Sequence, residues 1–190
     1  VKTRCLDPKV VSVFARRHMI YEDAKYHNAV FVGFDVDGIP RHAHKRGTCQ
    51  RGKPFKGNVE SCDPRYSFHW IGKSDTVYVF EAPIDMLSFI SMYQKDWMGH
   101  SYVALCGVAE HALVQLLEDV PHLSKITLCL DHDKAGIEAG ERIKKRLSER
   151  GYRNVFPLFS CQKDWNEDLQ ALQKPPPEFV AECQTVTQMM

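Results

Sequence analysis

The period of the apolar positions changes part-way along the chain. Asp7 and Pro8 mark a helix start, an N-cap followed by the residue whose fixed φ suits the first turn. Val10, Val11, Phe14 and Ala15 then follow at helical spacing. Residues 29–34 read as a strand, Asp35-Val36-Asp37-Gly38 as a turn, and 39–44 as the return strand. Residues 45–73 are polar, basic and rich in Gly and Pro, which predicts a long loop or irregular subdomain. After Asp75 the texture becomes regular. Apolar runs at 76–80, 101–106, 126–130 and 154–159 predict strands. Between them, 83–93 predicts a helix, and Ala109, Ala112, Leu113, Leu116, Leu117 and Val120 form a helical stripe. Ala135, Ala139, Ile143 and Leu147 line a further helix that stops at Gly151.

Strands that are continuously apolar and alternate with helices belong to a parallel sheet covered on both faces. The expected fold is α/β: a four-stranded, mainly parallel sheet with helices on both faces, preceded by a smaller basic α+β subdomain. The expected division is 1–75 for the basic subdomain, 76–172 for the sheet domain and 173–190 for a tail opened by Pro175-Pro176-Pro177.

Composition narrows the class. With 190 residues, 44% hydrophobic and 26% charged, the chain can bury a core without metal or disulfide staples. No apolar run reaches the roughly 20 residues of a membrane span. The chain opens on VKTRC without Met, as a piece of something longer would. Seven cysteines, an odd number with no C-x-x-C pair, indicate a reducing compartment, and a cytoplasmic location is expected. The net charge of +1 hides an asymmetry: residues 1–75 hold 14 Lys and Arg against 8 Asp and Glu, and the remainder is acidic. Such a basic surface suits a polyanion, although a lysine-rich solvated loop would have the same composition.

Ligands of open parallel sheets bind beyond the carboxyl ends of the strands. Glu81 ends the first predicted strand, Asp131 and Asp133 follow the third, and Lys163-Asp164-Trp165-Asn166-Glu167-Asp168 follows the fourth. Clustered carboxylates repel unless a cation neutralises them, and hard oxygen donors favour Mg²⁺ or Mn²⁺. A helix cap needs one acid, so the Asp131/Asp133 pair exceeds what capping requires.

Three segments on these strand ends carry a resemblance. Val77-Tyr78-Val79-Phe80-Glu81-Ala82-Pro83-Ile84-Asp85 resembles the E-G-x-x-D motif of the Toprim domain in its bacterial primase form. Asp131-His132-Asp133-Lys134-Ala135-Gly136 is similar to its D-x-D-x-A-G motif, and Lys163-Asp164-Trp165-Asn166-Glu167-Asp168-Leu169 to the K-D-P-D-x-Y-L segment. Leu105-Cys106-Gly107 stands where that family has a T-L-G turn. Upstream, F-V-G-F-D-V-D-G, H-K-R-G-T and F-K-G-N resemble primase-like proteins of mobile elements. Ala82 departs from the usual Gly, and Asn166 from the usual Asp.

The resemblance implies a Mg²⁺- or Mn²⁺-dependent primase-like nucleotidyltransferase on single-stranded DNA, in replication or transfer of a mobile element. Asp131, Asp133 and Asp164 would hold the metal, and Glu81 would be the acid/base group with Asp85 in support. Lys45, Arg46, Arg51, Lys53 and Lys56 would bind the template, and Lys134 or Lys56 the incoming nucleotide. Its partners would be single-stranded DNA, nucleotides and other replication or transfer proteins of the element, with no membrane. A Toprim-type nuclease and a non-catalytic nucleic-acid-binding module are the alternatives.

Other signals are weaker. Ile71-Gly72-Lys73-Ser74 lacks the first glycine of a P-loop, since Ser67 stands there. His42, His44, Cys49 and Cys62 do not have zinc-finger spacing, so no zinc is expected. Tyr66, Phe68 and Trp70 alternate as base-stacking residues would, but that spacing more often builds a core.

Overall fold

The computed structural model describes residues 2–48, 55–107 and 109–173. In chain order its elements are α1 (Pro8–Arg16), β1 (Ile20–Glu22), β2 (Ala29–Phe34), β3 (Pro40–Arg46), β4 (Lys56–Asn58), β5 (His69–Trp70), β6 (Thr76–Phe80), α2 (Pro83–Met92), β7 (Ser101–Ala104), α3 (His111–Asp119), β8 (Lys125–Cys129), α4 (Lys134–Glu149), β9 (Asn154–Pro157) and α5 (Trp165–Gln173). Among the described residues these strands form two sheets. The first is an antiparallel meander in the order β1-β2-β3-β4. The second has the order β5-β7-β6-β8-β9, in which β6 to β9 run parallel and β5 is antiparallel at the edge.

The expected α/β architecture is present, with its four parallel strands and helices on both faces. Strand alternation divides the core between those faces. Phe80, Tyr102, Ala104 and Cys129 point to one side, where α1, α2 and α5 contribute Phe14, Met86, Ile90, Trp165 and Leu169. Val77, Val79, Val103, Ile126 and Leu128 point to the other, where α3 and α4 supply Leu113, Leu117, Ile143 and Leu147. Phe31 of the first sheet joins the core that holds α1 and α2, so the antiparallel meander packs beside that face.

Residues 45–73 are more ordered than their composition suggests. β3 runs through Lys45 to Arg46, Lys56 opens β4, and β5 closes the edge of the parallel sheet. Phe68 and Trp70 are buried and pack around Phe14 in tilted and edge-on contacts, which makes them core side chains. The strand expected at 154–159 ends at Pro157. Among the described residues no helix is long and apolar enough to cross a membrane. The Pro175-Pro176-Pro177 run and Cys49 lie outside the described residues.

Candidate active site

The connection from β6 leaves towards β7 and the connection from β8 towards β9, in opposite directions along the sheet. The two carboxyl ends therefore flank a topological switch point, where an open sheet leaves a crevice. A cavity of about 290 Å³ sits there, and Glu81, Asp85, Asp131, Asp133 and Asp164 all line it. Glu81 follows β6, Asp85 stands on the first turn of α2, Asp131 and Asp133 follow β8, and Asp164 precedes α5. The fold thus brings together all five carboxylates named from the sequence.

Their local duties differ. Asp133 caps α4, its Oδ1 accepting from the Gly136 N–H at 3.0 Å. Asp164 Oδ1 accepts from the Glu167 N–H at 2.7 Å and caps α5 in the same way. Asp131 differs from both, because its Oδ1 is buried without a hydrogen-bond partner among the described residues. Gly136 lets α4 begin this close to the strand end, because a Cβ there would stand 2.1 Å from the Asp131 carbonyl oxygen. Ala82 is extended (φ −132°), so the position demands no glycine-only conformation. The N–H of His132 donates to the Lys163 carbonyl at 2.7 Å, which ties the β8 loop to the α5 loop.

Burial and mutual repulsion set the proton affinities. Asp131 is pushed up to about 7, first by burial and then by the charges of Glu81, Asp164 and Asp133. Asp85, deeper still, is pushed up to about 8 by burial and then by Asp164 and Asp131. Burial also raises Glu81, and Lys56 opposes that rise. Asp133 is held below the usual carboxylate range, first by the Gly136 N–H.

Cations line the same cavity: Arg4, Arg46, Lys56 and Lys163. Lys56 Nζ lies 3.8 Å from Glu81 and Lys163 Nζ lies 3.7 Å from Asp133. Arg46 and Lys56 are paired directly across β3 and β4, and like charges so placed destabilise a ladder. Of the other basic residues named from the sequence, Lys45 alternates away from Arg46 and pairs with Asp23 at 3.3 Å. Lys134 is 91% exposed, pairs with Glu138 on its own helix, and stands outside the lining of the cavity. Arg51 and Lys53 lie outside the described residues.

Arg4 was not legible in the sequence, and Asn166 explains its position. Asn166 is buried; its Oδ1 accepts from Arg4 Nη1 at 3.0 Å, and its Nδ2 donates to the Arg4 carbonyl at 2.8 Å and to Ser88 Oγ at 3.0 Å. An aspartate could not make those two donations. Asn166 therefore fastens the N-terminal turn to α5 and α2, and this fastening holds Arg4 on the lining of the cavity.

Among the described residues, no three of His, Cys, Asp and Glu converge closely enough to enclose a metal ion by themselves. Mg²⁺ does not need such a cage, since it keeps several waters and binds through one or two carboxylates together with substrate phosphates. The unpartnered Asp131 oxygen, among carboxylates that raise its proton affinity, is a donor set that fits a hard divalent ion. His42 and His44 are both buried on β3. Burial pulls His42 down to about 4, and the His44 Nδ1 lies 2.7 Å from Asn58 Oδ1.

Comparison with known proteins meets the same segments. Residues 78–169 match a family model described as Toprim-like, spanning every one of the five carboxylates. This segment is similar to Toprim-like domains. Residues 1–74 match a second model, described as a protein of unknown function, DUF3991. The uncharacterized protein pXO2-78 of Bacillus anthracis is 23% identical over 196 residues, which cover 92% of this chain and 56% of that one. The chain thus spans little more than half the length of that relative. Among solved structures, the primase fragment of the bacteriophage T7 primase-helicase superposes with a TM-score of 0.65 at 17% identity, covering 88% of this chain and 67% of that one. The DnaG primase catalytic domain bound to single-stranded DNA gives a TM-score of 0.55 at 13% identity, over 87% and 57% of the two chains. The Toprim-like domain and its preceding meander therefore share the fold of primase catalytic domains.

Proposed function

We propose that the protein is a divalent-metal-dependent, primase-like nucleotidyltransferase acting on single-stranded DNA. The observation that carries this reading is the cavity at the switch point, which five carboxylates line together with arginine and lysine, and where an Asp131 oxygen has no hydrogen-bond partner among the described residues. Carboxylates alone would suit a cation and cations alone an anion. Both together suit a metal-bound polyphosphate.

Asp131, with Asp133 and Asp164, would hold the ion, which when bound supplies charge for the transferring phosphate and lowers the proton affinity of an attacking oxygen. Glu81, with its proton affinity raised by burial and its carboxylate beside Lys56, is suited to take a proton from a 3′-hydroxyl. Asp85 sits behind it and holds a proton to higher pH than an exposed acid would. Arg46 and Lys56 offer the template or the nucleotide a pair of cations whose mutual repulsion an anion relieves. The five cysteines described are all unpaired, in keeping with work in the cytoplasm beside replication or transfer proteins of a mobile element.

The test is direct. The protein is incubated with single-stranded DNA, Mn²⁺ or Mg²⁺ and labelled nucleotides. Extension products that disappear in Asp131→Asn support the proposal. Cleavage without extension would make the protein a Toprim-type nuclease. Neither product would leave a non-catalytic nucleic-acid-binding module.

A further inference from the structure

A second cavity, of about 430 Å³, adjoins the first, and Arg4, Arg46, Phe31 and Ile84 line both. Its character is different. No Asp or Glu is among the described residues that line it, and Leu6, Val11, Ile20 and Leu87 make its other walls largely apolar. Besides the two arginines, its polar side chains are Thr3, Thr48 and Gln170. The volume falls in the roughly 300–1,000 Å³ range of small-molecule pockets, whose usual lining is apolar with a few polar groups that orient the ligand.

One donor on the shared wall lacks a partner. Arg46 Nε is buried without a hydrogen-bond partner among the described residues, a costly state for a donor in a charged group. The lysines of the first cavity already lie near acids, Lys56 near Glu81 and Lys163 near Asp133, and Arg4 donates through Nη1 to Asn166. Arg46 is also paired across the ladder with Lys56, and an anion on its guanidinium would offset that repulsion. The Nε–H and a neighbouring Nη–H of an arginine form a planar fork that fits the two oxygens of a carboxylate.

We propose that the apolar cavity is a binding site for a small monocarboxylate with a hydrocarbon tail. The carboxylate lies on the fork of Arg46, and the tail fills the space between the N-terminal turn, α1, β1 and α2. The scarcity of polar groups decides the tail. A nucleobase or a sugar would bring several donors and acceptors, each costly if buried unpaired, and Thr3, Thr48 and Gln170 are too few to meet them. A hydrocarbon brings none. The orphan Nε–H decides the head, since an alcohol or an amine would leave it without an anion. This site is separate from the acid-lined cavity and does not depend on the nucleotidyl-transfer reading. It is coupled to that cavity all the same, because a carboxylate on Arg46 takes away a cation that lines both.

Calorimetric titration of the full chain with butanoate, hexanoate and octanoate tests the tail. Each step adds two methylenes to the buried chain and is expected to tighten binding roughly tenfold. Octanol and octylammonium test the head in the same unaltered protein. Both are expected to bind about tenfold or more weakly than octanoate, because neither satisfies the Arg46 fork. Arg46→Gln is expected to bring octanoate down to the octanol value while octanol itself is unchanged, which also shows that the cavity of the variant is intact. Ile20→Trp, which fills the space, is expected to weaken octanoate and octanol alike. Photolabelling of the unaltered protein with a diazirine-bearing octanoate gives a reading that no variant's folding affects, with label expected on peptides carrying Leu6, Ile20 or Leu87. Affinity that does not rise with chain length, octanol binding as tightly as octanoate, or label only elsewhere overturns the assignment. Octyl phosphate binding more tightly than octanoate would give the head to a phosphate and overturn the carboxylate.

Discussion

At Asp131 a carboxylate oxygen is buried with no donor among the described residues, while three neighbouring acids press on it. Asp131 and Asp85 keep their protons to about pH 7 and about pH 8 in the folded protein, against 3.8 for an ordinary aspartate. The folded state therefore holds more protons than the unfolded one between those limits, and metal-free stability should fall as pH rises from about 4 to about 8. Asp131→Asn removes one of these charges. Allowing for partial solvent access, melting in EDTA at pH 8 should rise by on the order of 2 kcal/mol, or roughly 4–8 °C, with no difference near pH 4. Titration of the same variant with Mn²⁺ should show binding lost, and full-strength binding would remove Asp131 from the metal site. Glu81→Gln tests the acid/base role. Turnover is expected to drop by about 10² to 10⁴ while Mn²⁺ affinity stays within roughly threefold, and unchanged turnover would remove Glu81 from the chemistry.

Among the elements, the start of α4 is the most tightly constrained. Gly136→Ala would set a Cβ 2.1 Å from the Asp131 carbonyl, and backbone has no rotamer by which to yield. The helix must shift, taking the Asp133 cap and the Asp131 loop with it, at a cost of about 1–3 kcal/mol. Melting and Mn²⁺ titration should both weaken, and a variant with normal melting and normal metal affinity would refute this account. The long elements were legible because each carries its own period: the stripe of α3, the face of α4, and the apolar runs of β6 and β8. β1, β4 and β5 were not, because strands of two or three residues such as His69–Trp70 have no period to detect and owe their register to partners. α5 escaped for another reason. Its opening residues resemble a site motif, which masks Asp164 as a cap and Trp165 and Leu169 as neighbours one helical turn apart on the buried face. The five acids were legible because they end predicted strands or open the segments that follow. Arg4 was not, since nothing near it in sequence marks a turn that is fastened to a helix 162 residues away.

For the molecule as a whole, the basic segment read from the sequence divides in the structure. Arg46 and Lys56 share the cavity, while Lys45 faces away to Asp23. If Arg46 and Lys56 each neutralise one phosphate of a single strand, changing both to Ala should flatten the slope of log affinity against log salt by about 1.4 units. Lys45→Ala should leave that slope unchanged. Anisotropy of a labelled oligonucleotide across a salt series measures both, and equal effects of the two changes would place the backbone track elsewhere. The clasp between Arg4 and Asn166 also bears on how the protein is made. Synthesis releases residue 4 well before residue 166, so a nascent polypeptide carries the N-terminal part of the cavity lining before the helix that holds it. Contacts of such long sequence separation form late, once the intervening chain has folded enough to bring its ends together. The acid-lined cavity is thus among the last features to close, and an interrupted translation product would have most of the sheet but an incomplete cavity.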